Sequence, residues 1–218
     1  MRPASLLLKP AVLVPLIYFG VLIVGGLMTP GYDHARQYAS ELGMAGAPAA
    51  RVFNYGIVAA GICAVAGSLG VFLGMRRLGA GVVWALLSAI CIAAWGVAMV
   101  LGGLHPMPDP LHNGYMLGLA IIPAPLLMFF GLAGRSSMGG LKALLIITFL
   151  ATVVFNLAMF NIGGLNLVKV ANVGFWQRGY ALATIPWIGI AALCIDQALA
   201  ARAARDRDAA REALFSSP

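Results

Sequence analysis

The chain has 218 residues, of which 61% are hydrophobic and only 10% are charged, and its formal net charge is +7. Because soluble domains carry about 25% charged residues, this composition excludes a water-soluble globular protein. Most of the basic residues flank apolar segments, which indicates membrane topology, and we expect no nucleic-acid partner.

Six apolar segments follow one another along the chain, each close to the roughly 20 residues that a helix needs to cross a bilayer. They are continuously apolar, whereas the strands of a membrane barrel alternate apolar and polar residues. The sequence therefore predicts an all-α, polytopic membrane protein, a single domain built as a bundle of six transmembrane helices in a lipid bilayer. The predicted spans are 10–28, 52–74, 81–103, 113–134, 141–162 and 177–201, and the charged tail 202–218 extends the last one.

Basic residues are divided unevenly between the two sides of the predicted bundle. An even number of spans places both termini on one side, and that side carries ten of the 14 basic residues. Because basic loops remain in the cytoplasm, we expect an inner-membrane protein with cytoplasmic N- and C-termini. The ten are Arg2, Lys9, Arg76, Arg77, Arg135, Lys142, Arg202, Arg205, Arg207 and Arg211, and the other four are Arg36, Arg51, Lys169 and Arg178.

Small residues and prolines within the spans predict how the helices pack. Gly70 and Gly74 lie one turn apart in the second span, where they allow a neighbouring helix to approach closely. Prolines in the spans predict kinks, which open space between helices. They are Pro15, Pro123, Pro125 and Pro186.

The side opposite the basic loops carries nearly every side chain able to perform chemistry, including all three histidines. Its loops are 29–51, 104–112 and 163–176. We expect a polar, partly hydrated pocket beneath them that opens to the periplasm. The candidate catalytic residues are Glu41, His105, Asp109 and His112.

Polar side chains near the outer ends of the spans are costly in lipid unless they find partners or line a cavity. Asn54 and Asn156 therefore predict either hydrogen bonds between helices or a pocket wall. Arg51 lies three residues before Asn54 and shares its helix face. The candidate substrate-binding residues are Arg51, Asn54, Asn156, Gln177 and Arg178.

Glu41 has two interpretations. It could act as an acid or base in a low-dielectric pocket, or it could hold its loop in place, with Arg51 or Arg178 as an ionic partner. Arg178 in turn could neutralise Glu41 or bind an anionic head group.

The loop from His105 to His112 contains three prolines, which stiffen it. Two histidines with Asp109 are ligand types suited to zinc, but their spacing matches no standard metal site, so we predict no metal and no cofactor. Acid–base, hydrogen-bonding and structural roles remain open for this loop. The three cysteines lack redox or metal spacing and predict apolar packing. They are Cys63, Cys91 and Cys194.

These motifs resemble those of the DUF998 family of multi-pass membrane proteins. The resemblance rests on Ser-Glu-Leu-Gly at 40–43, Gly-Ala-Pro at 46–48, Phe-Asn at 53–54, the loop bearing His105, Asp109 and His112, and Gln-Arg at 177–178. It implies a six-helix integral membrane protein and no particular activity.

Two functional hypotheses follow. In the first, the pocket performs acid–base chemistry on a hydrophobic small molecule, such as a lipid or isoprenoid. In the second, it binds a lipid or small solute without reaction, for transport or sensing. Catalysis would require Glu41 or a histidine within hydrogen-bond reach of a cavity, with a perturbed pKa. The pocket itself would require the four candidate catalytic residues and Arg178 to converge.

Overall fold

The computed structural model describes residues 3–113 and 115–215, and in these ranges the chain forms eight α-helices and no β-strand. Six helical stretches are long and apolar enough to cross a membrane, which confirms the all-α, six-span fold. The helices are α1 Pro3–Met28, α2 Ala50–Arg77, α3 Val82–Leu104, α4 Tyr115–Gly118, α5 Ala124–Leu132, α6 Gly139–Met159, α7 Val173–Thr184 and α8 Pro186–Phe215.

The fourth span is not one regular helix. It begins with a 3-10 turn at Pro110–Asn113, continues through α4 and a second 3-10 turn at Leu119–Ile121, and becomes regular only in α5. Pro123 caps α5, and Pro125 occupies its first turn, where the missing N–H of proline costs no helical hydrogen bond. Proline therefore divides the span rather than merely bending it.

The sixth span is also divided, at Ile185 between α7 and α8. Ile185 precedes Pro186, and a residue before proline is disfavoured in a helix because the proline ring crowds its backbone. Helix α8 then continues to Phe215, so the charged segment after residue 201 extends the helix as the sequence predicts.

Glycine lets the first three helices approach closely. A Cβ on Gly67 would lie 2.6 Å from the backbone nitrogen of Ala11 in α1, and a Cβ on Gly70 would meet the Leu7 carbonyl. A Cβ on Gly61 would lie 2.6 Å from the carbonyl oxygen of Gly96 in α3. Helix α2 thus packs backbone to backbone against α1 and α3, as the small residues predict.

Large apolar side chains remain exposed on the outside of the bundle, where a soluble protein would carry charges. This surface is suited to contact with lipid tails. Examples, one from each span, are Leu16, Leu69, Ile90, Phe130, Ile147 and Leu193.

The two ends of the bundle differ in charge. At one end, Arg135 donates a hydrogen bond to the Gly79 carbonyl at 2.7 Å, and Arg202 donates to the Arg77 carbonyl at 3.0 Å. We call this the basic end; its described basic residues include Arg76, Arg77, Arg135, Lys142, Arg202 and Arg205, whereas Arg2 lies outside the described residues. The opposite end, formed by the segments 29–49, 105–112 and 160–172, is the loop end.

Candidate functional site

A cavity of about 320 Å³ lies between α3, α6, α7 and the divided fourth span, towards the loop end. We call it the outer cavity. Three of the candidate residues line it: His112, Asn156 and Gln177. The remaining lining is mostly apolar and comprises Trp95, Ala98, Met99, Gly102, Gly118, Leu119, Met159, Phe160 and Tyr180.

A smaller cavity of about 130 Å³ adjoins the outer cavity and brings in a fourth candidate, Asn54. The two cavities share His112 and Gln177 as well as Met99 and Gly102. Residues from all six spans therefore line these two adjoining cavities.

His112 is held by its backbone surroundings. Its Nδ1 atom lies 2.8 Å from the His105 carbonyl oxygen and 3.1 Å from the Gly102 carbonyl oxygen. Because carbonyl oxygens only accept, Nδ1 carries the hydrogen in the neutral ring and Nε2 carries the lone pair. Nε2 forms no hydrogen bond with any described residue, so it can accept one from a ligand.

Gln177 is oriented in the same way. Its Oε1 atom accepts the backbone N–H of Ala39 at 2.7 Å, which fixes which end of the amide is the oxygen. The Nε2 group has no partner among the described residues and can donate. The outer cavity therefore offers an acceptor on His112 and a donor on Gln177.

Asn156 is buried and donates to the carbonyl of Thr152, one turn earlier in α6, at 2.8 Å. Tyr180 also lines the outer cavity. It is not among the residues predicted from sequence, although it lies three residues after Gln177 and shares its helix face.

The outer cavity contains no Asp, Glu, Lys or Arg among the described residues that line it. Its polar groups are imidazole, amide and phenol, set among apolar walls. An ionised ligand would lose its hydration without gaining a partner of opposite charge. The geometry therefore suits an uncharged ligand with a hydrogen-bonding group.

Gly118 and Leu119, where the fourth span changes from α-helix to 3-10 helix, lie on the wall of the outer cavity. Irregular backbone at membrane depth is tolerated where it is buried in protein or lines a cavity, because its polar groups must find partners. The break in this span and the cavity are thus parts of one feature.

Glu41 lies elsewhere. It belongs to the 3-10 turn Ala39–Gly43, where its carboxylate accepts the Tyr38 backbone N–H at 2.7 Å and the Gln37 amide at 2.9 Å. It lines a separate cavity with Arg36 and Lys169. Within residues 3–113 and 115–215 it forms no ion pair with Arg51 or Arg178. Its contacts are those of a side chain that holds its own loop.

Arg178 is also engaged with the first loop. Its guanidinium donates to the Gln37 carbonyl, to the Gly174 carbonyl at 3.2 Å and to the Tyr32 hydroxyl. The Tyr32 hydroxyl in turn donates a hydrogen bond to the Tyr38 carbonyl at 2.9 Å. Burial raises the pKa of the Tyr32 phenol, although Arg178 opposes that rise. Arg178 thus ties the start of α7 to the loop.

Arg51 and Asn54 share a helix face but not an environment. Arg51 is exposed and makes no side-chain hydrogen bond in the described part of the chain. Asn54 donates to the Gly43 carbonyl at 2.9 Å and so anchors the end of the 3-10 turn to α2. This hydrogen bond goes to the first loop and not to another span, and Asn54 also lines the smaller cavity.

His105 and Asp109 form a pair beside the outer cavity and not on its wall. The His105 Nδ1 and Asp109 Oδ2 atoms are 3.2 Å apart, and Asp109 Oδ1 accepts the Leu111 N–H at 2.8 Å. That backbone hydrogen bond, followed by the one from His105, lowers the pKa of Asp109. The pair shapes the loop whose backbone positions His112. Within the described ranges, no three His, Cys, Asp or Glu residues gather as a metal site.

The structure therefore separates the nine candidates. Four of them line the two adjoining cavities: His112, Asn156, Gln177 and Asn54. The other five line neither cavity: Glu41, Arg178, Arg51, His105 and Asp109.

A family model with the description "Protein of unknown function (DUF998)" matches residues 12–194, which include all nine. This confirms the resemblance seen in the motifs. No curated protein and no solved structure matches the chain.

Proposed function

We propose that this chain, which belongs to the DUF998 family, binds an uncharged amphiphilic molecule such as a lipid or isoprenoid in the outer cavity. The observation that carries the proposal is an acceptor on His112 and a donor on Gln177, neither with a partner among the described residues, on the wall of a mostly apolar cavity. A volume of about 320 Å³ is at the lower end of the range for small-molecule sites.

A hydroxyl group fits this pair of residues best. It would donate to His112 Nε2 and accept from the Gln177 amide, so both polar groups would be satisfied by one atom of the ligand. A chain attached to that hydroxyl would lie against Trp95, Met159 and Phe160, which supply apolar and aromatic surface. The ligand class is therefore an alcohol with a hydrophobic body.

Binding without reaction accounts for the geometry better than acid–base catalysis does. Glu41 and Asp109, the carboxylates considered for catalysis, are committed to loop hydrogen bonds and do not line the outer cavity. His112 alone among the candidate acids and bases lines it. The catalytic alternative would have to rely on this histidine without a carboxylate partner.

The test measures which lipids remain bound to the full chain after purification in mild detergent, by mass spectrometry. Ala98→Phe should fill the outer cavity and remove at least about nine-tenths of the bound species, whereas Ala59→Phe makes the same change on the exposed face of α2 and should not. Equal retention by both variants would contradict the proposal.

A second pair of variants tests the polar contacts. His112→Ala should weaken retention about fivefold, because a hydrogen bond is worth about 1 kcal/mol. Leu111→Ala, in the same loop, removes an exposed side chain, keeps the backbone N–H that Asp109 accepts and should retain the ligand. Glu41→Gln should also retain the ligand. If this variant still bound the ligand but no longer yielded a reaction product, the result would favour catalysis.

We also propose that the basic end faces the cytoplasm of a cell with an inner membrane. The support is the unequal division of basic residues, ten against four, together with the meeting of Arg77, Arg135 and Arg202 at one end of the bundle. Fusions of alkaline phosphatase or green fluorescent protein to the C-terminus test this. Active phosphatase with a dark fluorescent fusion would reverse the orientation.

A further inference from the structure

At the basic end, a cavity of about 720 Å³ lies between the turn after α5 and helix α8. We call it the basic cavity. Its lining combines apolar side chains with three arginines, two serines and a glutamine, which are Arg135, Arg202, Arg205, Ser136, Ser137 and Gln197.

The guanidinium groups come from two distant parts of the chain and retain free donors. Arg135 donates one hydrogen bond to the Gly79 carbonyl in the turn between α2 and α3, and Arg202 donates one to the carbonyl of Arg77, the last residue of α2. Arg205 makes no side-chain hydrogen bond with any described residue. Since a guanidinium carries several N–H donors, most of those around the basic cavity have no protein acceptor.

No carboxylate neutralises these arginines in the described part of the chain. The ion pairs within 4.0 Å there are Arg36 with Asp33 and His105 with Asp109, both at the loop end. Asp206 follows Arg202 by one helical turn, a spacing that favours pairing, yet the two do not come within that distance. The positive charge of the basic cavity is therefore available to an anion.

We propose that the basic cavity binds the phosphate group of an anionic phospholipid. Phosphate oxygens match the fork of guanidinium donors, and the serine hydroxyls add further donors. The site lies at the opposite end of the bundle from the outer cavity, so this proposal does not depend on the function proposed for that cavity.

The apolar neighbourhood favours a lipid over free phosphate. Ile190 and Leu193 on α8 are exposed and lie one turn before Cys194 and Gln197 of the cavity wall, on the side towards the membrane centre. An acyl chain below the phosphate would cover these side chains. Basic pockets between transmembrane helices at the cytoplasmic surface commonly hold lipid head groups in this way.

The test titrates the full chain in detergent with phosphatidylglycerol and counts bound lipids by native mass spectrometry. Arg205→Ala should weaken binding about fivefold, as expected for one basic residue near a membrane surface, and Arg205→Glu should weaken it further. Arg207→Ala removes the same charge from α8 without touching the cavity wall and should bind as the original chain does. Because Arg205 holds no structural hydrogen bond, its variants should fold, which their melting temperatures verify.

Two comparisons identify the source of the phosphate. Phosphatidylcholine, which has no net charge, should bind much more weakly than phosphatidylglycerol, and inorganic phosphate should compete only at far higher concentration. Equal binding of the two lipids, binding of inorganic phosphate alone, or unchanged binding in both Arg205 variants would overturn the proposal.

Discussion

The side-chain oxygen of Gln177 accepts the backbone N–H of Ala39 at 2.7 Å, across 138 positions of sequence. Ala39 begins the 3-10 turn of the first loop, and Gln177 lies in α7 on the wall of the outer cavity. One amide thus fastens the loop and presents its remaining donor to the cavity. Loop structure and cavity chemistry are coupled through this residue.

Replacing Gln177 with alanine should loosen the first loop. The change leaves the buried Ala39 N–H without an acceptor, which costs about 1–3 kcal/mol in the free energy of unfolding. Hydrogen exchange should then accelerate at residues 38–43, with little change in α2. Gln197→Ala, at an exposed position of α8 without a side-chain hydrogen bond, is the matched control. Unchanged exchange in the Gln177 variant would refute this role.

Replacing Arg178 with lysine should destabilise the protein although the charge is kept. A lysine ammonium cannot reproduce the planar fork that reaches the Gln37 carbonyl and the Tyr32 hydroxyl together. We expect a loss of about 1.5–3 kcal/mol, as for hydrogen bonds to charged groups. Arg51→Lys, at an exposed position, should stay within about 0.5 kcal/mol. Thermal unfolding in detergent compares the two, and equal melting temperatures would count against Arg178 as a structural tie.

Adding one methyl group at Gly67 should disturb the contact between α1 and α2. The new Cβ would lie 2.6 Å from the Ala11 backbone nitrogen, which cannot move without shifting the helix. Overpacking of this kind costs about 1–3 kcal/mol. Gly20→Ala in α1 meets nothing within 4 Å and should be neutral or slightly stabilising, since alanine favours helix. Similar unfolding temperatures for the two variants would show that the close approach is not required.

The pair of His105 and Asp109 should make the second loop sensitive to acid. The folded chain lowers the pKa of Asp109 below its ordinary value of 3.8, so the ionised carboxylate stabilises the loop above that pH. The contribution is lost as the pH falls from 3.8 through the lowered pKa. Hydrogen exchange at residues 105–112 should therefore accelerate in this window.

Two variants check the assignment of that acid sensitivity. Asp109→Asn should abolish it, because the amide does not titrate in this range. His105→Ala should move the midpoint upwards towards 3.8, because one of the groups that lower the pKa has been removed. A midpoint that stays in place in the His105 variant would assign the lowered pKa to the Leu111 N–H alone.

The candidate site was only partly predictable from sequence. Asn54 and Asn156 are predicted because polar side chains at the outer ends of apolar spans need a partner or a cavity, and each lines one of the adjoining cavities. For Glu41 the sequence leaves both catalysis and a loop-holding role open. Its two acceptor bonds to Gln37 and Tyr38 depend on the turn that the backbone adopts, which residue type does not specify.

The sequence by itself determined that this is a membrane protein and how many spans it has. Hydrophobicity and charge are properties of each segment, and each segment enters the bilayer or stays outside it according to its own composition. It also marked Pro123, Pro125 and Pro186 as places where helices depart from regularity. Tertiary structure alone decided which polar groups meet. Gln177 reaches Ala39, and His112 turns its Nδ1 to backbone carbonyls, only after the helices have packed. That packing left Nε2 of His112 and Nε2 of Gln177 without a partner among the described residues, beside one cavity, a relationship that no local pattern encodes.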